Sequence, residues 1–267
     1  NYLCQWPVNK LCKLTGAPSY ICTAIIGSCD PNEVVGPLGY EVDSTRWVGV
    51  KDTLPYKIYY ENDPELATAP AQRVEITTDL DENVDQFSFR LGDFGFGDFA
   101  FAVPPNSANY STVLDLRDSL GYDLAVTAGL DIVENKAFWV LETLDPQTGL
   151  PPADPFAGFL PVNDTLTGSG EGFVSYTIRP RATAQTGDSI RAQASIVFDI
   201  NPAIETNTWV NLVDAYAPVS EIDTAYSLGN DVYQIVWNAI DDNGNGSGVR
   251  DYDLYFATDS VTFEPYQ

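Results

Sequence analysis

Carboxylate and amide side chains gather at the edges of runs that read as β-strands, and oxygen-ligand chemistry is what such groups can do. Asp30, Asn32 and Glu33 stand together in Cys29-Asp30-Pro31-Asn32-Glu33, Glu61 and Asp63 in Tyr60-Glu61-Asn62-Asp63-Pro64, and Asp199 and Asn201 in Phe198-Asp199-Ile200-Asn201-Pro202. Hard oxygens of this kind ring Ca²⁺ at sandwich ends and domain junctions. Asp199 follows a buried-type strand, and Asn201 comes two residues later, the spacing at which a strand presents side chains to one face. The competing reading is Asx-turn and Asx-Pro chemistry that merely caps strands. A second pattern is sharper. In Asp241-Asp242-Asn243-Gly244-Asn245-Gly246, the residues Asp241, Asn243, Asn245 and Gly246 match positions 1, 3, 5 and 6 of a Ca²⁺-binding loop. Tyr252 stands where the loop's last Glu belongs, so Asp251 or Asp253 would have to substitute. An Asn-Gly-rich hairpin loop is the alternative.

Catalysis has little to draw on. The chain has no His, the usual base, and no recognisable Ser-Lys arrangement. Paired carboxylates could hydrolyse glycosides, but with 38 acidic residues some pair always falls near another. Gly92-Asp93-Phe94-Gly95-Phe96-Gly97 lacks the Lys and following helix of a phosphate-cradling loop, and reads as a glycine-bent strand connection. Lys57 lies on the face opposite Tyr56, Ile58 and Tyr60, outward rather than buried beside a carboxyl as a Lys–Asn isopeptide bond requires. The expectation is a protein without enzymatic activity.

Composition narrows the partners. Lys and Arg number 13 against 38 acids, a formal charge of −25 that repels phosphate backbones and anionic lipid and favours divalent cations. Solubility of a secreted protein is the simpler account of the same acidity. Hydrophobic content of 44% and aromatic content of 12% exclude a disordered chain. Ile21 to Gly27 is too short an apolar run to span a bilayer, and the first residue, Asn1, suggests a processed product or a slice of something longer. Cys4, Cys12, Cys22 and Cys29 cluster without His, which favours disulfides and an oxidising compartment over a Cys-only zinc site. Connectivity is open; Cys4–Cys12 with Cys22–Cys29 is the most local choice.

The elements that would position these groups are strands. Residues 1–29 form a Cys-rich leader, with helical turns expected from Val8 to Leu14 and from Tyr20 to Ile26. Beyond it Tyr56, Ile58 and Tyr60 alternate, as do Tyr122 to Leu130, Val174 to Ile178, and Ile190 to Phe198 in the cleanest period-2 run. Strict alternation describes antiparallel sheets with one wet face. The Pro- and Gly-rich stretch from Asp145 to Gly172 is a long loop for which Phe156, Phe159 and Leu160 are candidate anchors. After Pro218 a new unit is expected, with strands at Tyr233–Trp237 and Tyr252–Phe256. The fold class is all-β: an antiparallel Ig-like β-sandwich over 30–217, a disulfide-stapled segment before it, and an incomplete second β-sandwich over 218–267.

The stretch from Cys29 to Asp214 resembles an Ig-like repeat of very large secreted and surface proteins of Bacteroidota and other environmental bacteria, including adhesin-like chains and type IX secretion substrates. The resemblance is carried by Asp30-Pro31-Asn32-Glu33, Leu54-Pro55-Tyr56, Arg90-Leu91-Gly92-Asp93-Phe94-Gly95, Gly172-Phe173-Val174-Ser175-Tyr176 and Val197-Phe198-Asp199-Ile200-Asn201-Pro202. The tail, with Trp237, Gly246-Ser247-Gly248 and Tyr252-Asp253-Leu254-Tyr255, looks like the start of a fibronectin type III-like module. The resemblance implies a modular stalk or adhesin segment at the cell surface, with neighbouring domains or identical subunits as partners and surface glycans as a further one. Asp followed by Ser or Thr recurs at Asp43, Asp52, Asp118, Asp164, Asp188, Asp223 and Asp259, similar to the O-glycosylation acceptor pattern of Bacteroidota secreted proteins. Thr53, Thr165 and Thr224 are the acceptors expected near loops; turn-forming Asp is the alternative. The reading is a non-enzymatic structural and adhesive module, Ca²⁺-stiffened at its joints. Its alternatives are a filament subunit completed by a neighbour's strand and a carboxylate-dependent glycan hydrolase.

Overall fold

The computed structural model describes residues 32–42, 45–230 and 232–266. The four cysteines, the two expected helical turns and Asp30 lie outside the described residues. The chain opens with the short strands β1 (Val34–Val35), β2 (Tyr40–Val42) and β3 (Thr45–Gly49), then β4 (Leu54–Glu61) and β5 (Arg73–Asp79). Next come β6 (Val84–Phe96), β7 (Phe99–Phe101), β8 (Asn109–Leu116), one helical turn α1 (Arg117–Leu120), β9 (Tyr122–Asp131) and β10 (Lys136–Leu144). After the long loop follow β11 (Glu171–Pro180), β12 (Ser189–Ala192), β13 (Ala194–Phe198), β14 (Ile204–Glu205) and β15 (Trp209–Asp214). The tail holds β16 (Val219–Gly229), β17 (Val232–Ile240), β18 (Tyr255–Phe256) and β19 (Glu264–Pro265).

Three sheets enclose one core, in the orders β1-β4-β11-β6-β7, β14-β13-β5-β10-β9-β8 and β12-β15-β3-β2. Trp139 of β10 joins the two larger sheets: its ring lies 6.3 Å from Phe89 of β6 and 5.8 Å from Tyr176 of β11. It is 1% exposed, so truncating it would cost about 3–5 kcal/mol in lost transfer energy and cavity. The expected alternation holds in β4, β11 and β13, whose inward residues Tyr56, Ile58, Tyr60, Val174, Tyr176, Ile178, Ile196 and Phe198 are buried.

Four features depart from the expected pattern. The run Ile190–Phe198 is two strands, not one: β12 pairs with β15 and β13 with β5, in different sheets. The break at exposed Gln193 preserves the period-2 stripe, because a corner between sheets keeps one face inward. Second, β15 runs parallel to β3, pairing Leu212 with Trp47 and Asp214 with Gly49, where an antiparallel sandwich was expected. Third, the long loop is anchored by buried Phe159 and Leu160, the latter bridging to Ala71, but Phe156 is exposed. Fourth, the tail is a twisted hairpin of β16 against β17, and the strand expected at Tyr252–Phe256 shrinks to β18.

Candidate functional site

Two groups of acidic and amide side chains stand out, one at an end of the sandwich and one where the sandwich meets the tail hairpin. At the sandwich end Glu61 closes β4 and Glu171 opens β11, and the two are register partners across the ladder. Like charges placed opposite one another destabilise a sheet unless something intervenes. Asn163, from the long loop, intervenes: its Nδ2 donates to Glu61 Oε1 at 2.7 Å and to Glu171 Oε1 at 3.3 Å. Its Oδ1 accepts from Gly170 N at 3.0 Å, and its own N–H donates to the Asn62 carbonyl at 2.9 Å. Asn62 Nδ2 in turn donates to the carbonyls of Ala69 and Leu160, each at 3.1 Å. Asn32 Oδ1 accepts from Glu61 N at 3.2 Å. Asn32, Glu61, Asn62 and Asn163 are all buried. The knot therefore fastens the second half of the long loop to β4 and β11.

The remaining ligand candidates of the sandwich are brought together only in part. Glu33 stands beside β4, its carbonyl accepting from Tyr59 N at 2.8 Å. Asp63 caps a local turn, with Oδ1 accepting from Glu65 N at 2.7 Å. Asp199 and Asn201 do not share a face, which corrects the expected ladder spacing. The strand ends at Phe198, Asp199 takes a left-handed φ of 54°, and Asn201 lies exposed beyond the turn. Asp199 Oδ1 instead crosses to β5 and accepts from Gln72 N and Arg73 N, both at 2.9 Å. A carboxylate with two charge-assisted bonds to backbone N–H groups is a staple between chain segments.

At the tail the expected Ca²⁺ loop also differs from its pattern. Asp241 is buried, but Asn243, Asn245, Asp251 and Asp253 are exposed, and Asp251 pairs with Arg250 at 2.9 Å. The cause is backbone geometry. Asp242, Asn243 and Gly244 all have positive φ, and the tight turn closes with Gly244 N donating to the Asp241 carbonyl at 2.7 Å. Asn245 Nδ2 donates to the Asp242 carbonyl rather than turning its oxygen inward with Asp241. Asp241 Oδ2 accepts from Gly248 N at 2.6 Å. The residue that sequence reasoning missed is Asp214, at the end of β15, whose Oδ2 accepts from Ser247 N at 3.0 Å and from the Ser247 hydroxyl. Only its place at the end of an alternating strand marked it. Among the described residues no three acidic, His or Cys side chains form a metal-type group.

The acceptor candidates are equally mixed. Thr53 is exposed, with its Oγ1 accepting from Arg179 Nε at 3.1 Å. Thr165 is exposed in the turn that Asp164 caps through Leu166 N at 3.0 Å. Thr224 sits within β16 opposite Val236, not in a loop. Several Asp residues of the repeated pattern cap turns, including Asp52 to Gly49 N and Asp188 to Gln185 N. Lys57 lies on the outer face as expected, yet it is covered: its ammonium stands 3.6 Å from the Phe173 ring centre and 4.8 Å from that of Tyr59. Burial pulls its pKa down to about 8, against an opposing pull from Asp93. A cavity of about 10 Å³ between Tyr56, Tyr176, Ile178 and Ile190 has room for about one water.

Residues 158–212, from the end of the long loop to β15, match a domain of unknown function, DUF7619. No curated protein matches the chain. Among solved structures it is similar to the N-terminal domain of the Streptococcus gordonii adhesin Sgo0707, with 13% identity, a TM-score of 0.39, and coverage of 70% of this chain and 34% of that one. It is similar to the C-terminal domain of the Streptococcus agalactiae AgI/II polypeptide BspA, with 12% identity, a TM-score of 0.37, and coverage of 67% and 47%. A third likeness is to the collagen-binding domain of a Staphylococcus aureus adhesin, with 10% identity, a TM-score of 0.34, and coverage of 70% and 99%. The chain thus spans 34% and 47% of the first two. TM-scores at this level mark a loose likeness that defines neither fold nor function.

Proposed function

We propose that this chain is a non-enzymatic structural and adhesive module of a large extracellular surface protein. The observation that carries the reading is how the sandwich carboxylates are used, Glu61 buried and Asp199 and Glu171 half-buried. Asp199 staples the backbone N–H groups of Gln72 and Arg73 where β5 begins, and Glu61 and Glu171 share the amide of Asn163. Acids committed to holding chain segments together make stiff joints between strands and loops. A general acid or nucleophile needs a carboxylate aimed at a substrate cleft instead. The acidic charge of −25 suits solubility outside the cell and disfavours nucleic acid and anionic membranes as partners. Among the described residues no helix is long and apolar enough to cross a membrane.

The test has two arms. Antibody raised against the chain is applied to intact and to lysed source cells, with labelling of intact cells expected; labelling confined to lysed cells would overturn the surface reading. The purified chain is incubated with a panel of polysaccharides, with no turnover expected. Glycan cleavage abolished by a single carboxylate substitution would replace this reading with a hydrolase. Concentration-dependent fibres of the purified chain would favour the filament subunit.

A further inference from the structure

Two strands on either side of β16 lead into aspartates: β15 of the sandwich ends at half-buried Asp214, and buried Asp241 comes directly after β17 of the hairpin. Asp214 belongs rigidly to the sandwich, since its carbonyl accepts from Val50 N at 3.1 Å beside the parallel β3. Asp241 belongs to the hairpin. One loop gathers both carboxylates, Asp214 through Ser247 and Asp241 through Gly248. Those two anchor residues are consecutive, so their Cα atoms are about 3.8 Å apart. Gly246 leaves room for the arrangement, because a Cβ there would fall 2.3 Å from Asp241 Oδ2 and 2.8 Å from Oδ1.

Each carboxylate uses only half of itself. Oδ2 is hydrogen-bonded in both, while Oδ1 of both Asp214 and Asp241 is buried with no hydrogen-bond partner among the described residues. Asp241 is 4% exposed, so bulk water does not solvate it. Neither aspartate takes part in an ion pair among the described residues. Anionic oxygens withdrawn from water without a donor are costly, and a second carboxylate on the neighbouring anchor adds repulsion. A cation answers both. We propose that Asp214 and Asp241 hold a divalent cation, Ca²⁺, at the joint between the sandwich and the tail hairpin. The donors are all oxygen, which disfavours metals that select imidazole or thiolate. A two-carboxylate site on an irregular loop fits the adaptable shell of Ca²⁺ better than the strict octahedron of Mg²⁺. Asp214 takes the place in the ligand set that the sequence pattern gave to Asn243 and Asn245. The proposal stands independently of the surface-module reading.

The full chain, stripped with EDTA, is titrated with CaCl₂ by isothermal calorimetry. The expected result is a binding event with Kd of about 0.1–1 mM, the range of extracellular modules. Asp241→Asn and Asp214→Asn are each expected to weaken it by about tenfold or more, because each removes a ligand charge. Asp251→Asn, at an exposed carboxylate, is expected to leave it unchanged. Melting in EDTA checks that the variants fold as the parent does. As a second readout, Ca²⁺ slows protease cleavage of the 242–250 loop in the parent chain but not in Asp241→Asn. No binding by the parent up to about 10 mM Ca²⁺ would overturn the proposal. So would equal affinity in the parent and a folded Asp241→Asn.

Discussion

The end of the sandwich around Glu61 and the joint around Asp241 are built from the same residue types, acids and amides, and use them in opposite ways. At the sandwich end a single amide, Asn163, serves two facing glutamates while its own oxygen is occupied by Gly170 N. At the joint, Asp214 and Asp241 each keep one buried oxygen without a partner among the described residues. The two regions also differ in what surrounds them. The first lies against the aromatic core of the large sheets, whereas the hairpin at the second exposes Val219, Ile222, Tyr233, Val236 and Trp237. An acid-rich sequence can thus encode either closed internal bonding or an open demand for a ligand, and the difference lies in whether an amide donor is delivered to the carboxylate.

Substitutions can break that contrast. The largest effect is expected from Asn163→Ala, which leaves Glu61 and Glu171 facing each other without their shared donor. A loss of about 2–3 kcal/mol in urea unfolding is expected for two hydrogen bonds to carboxylates, and a loss under about 1 kcal/mol would show that the knot is not held by this amide. Asp199→Ala strands the N–H groups of Gln72 and Arg73 and should cost about 1–3 kcal/mol, while Asp251→Ala stays within about 0.5 kcal/mol as a surface change.

A smaller effect concerns pH. Lys57 has a pKa of about 8 in the fold, lowered from 10.5 by burial. Between those values the unfolded chain binds more protons, so stability rises with pH through that window. A gain of about 1–2 kcal/mol between about pH 7 and pH 9.5 is expected after allowing for screening, and Lys57→Met should abolish it. Above that window, Tyr60 and Tyr176, whose pKa values burial raises, reverse the slope because the unfolded chain ionises first. The smallest effect on global unfolding is expected from EDTA. It should speed cleavage of the 242–250 loop while leaving the urea midpoint of the sandwich in place; a midpoint shift equal to that of Asn163→Ala would erase the distinction between the two regions.

Much of the sheet framework was legible from alternation alone, because burial of one face imposes period 2 on β4, β11, β12 and β13. What alternation does not carry is which sheet a strand joins. The stripe from Ile190 to Phe198 continues unbroken through Gln193 although its pairing partner changes there. Nor does it carry direction, so the parallel pairing of β15 with β3 was missed. β16 was missed although Ile222, Tyr226 and Leu228 recur at even spacing, because Thr224 and the polar residues around them interrupt the stripe and both faces are exposed. Among the acids and amides of the two regions, Asp241 and Glu61 were singled out by their neighbours in sequence. Asp214, Asn163 and Glu171 were not, since Asp214 meets Ser247, and Asn163 and Glu171 meet Glu61, across long stretches of sequence with no local motif. Asn201 was misplaced because one left-handed residue, Asp199, ends the ladder.

The parallel pairing of β15 with β3 has a mechanical consequence. Tension that enters ahead of Thr45 and leaves after Asp214 draws these two strands past each other along their length. Their hydrogen bonds are then loaded together in shear rather than opened one at a time like a zip. The pair resists stretching as a unit, and it does so beside the carbonyl of Asp214 that Val50 already holds.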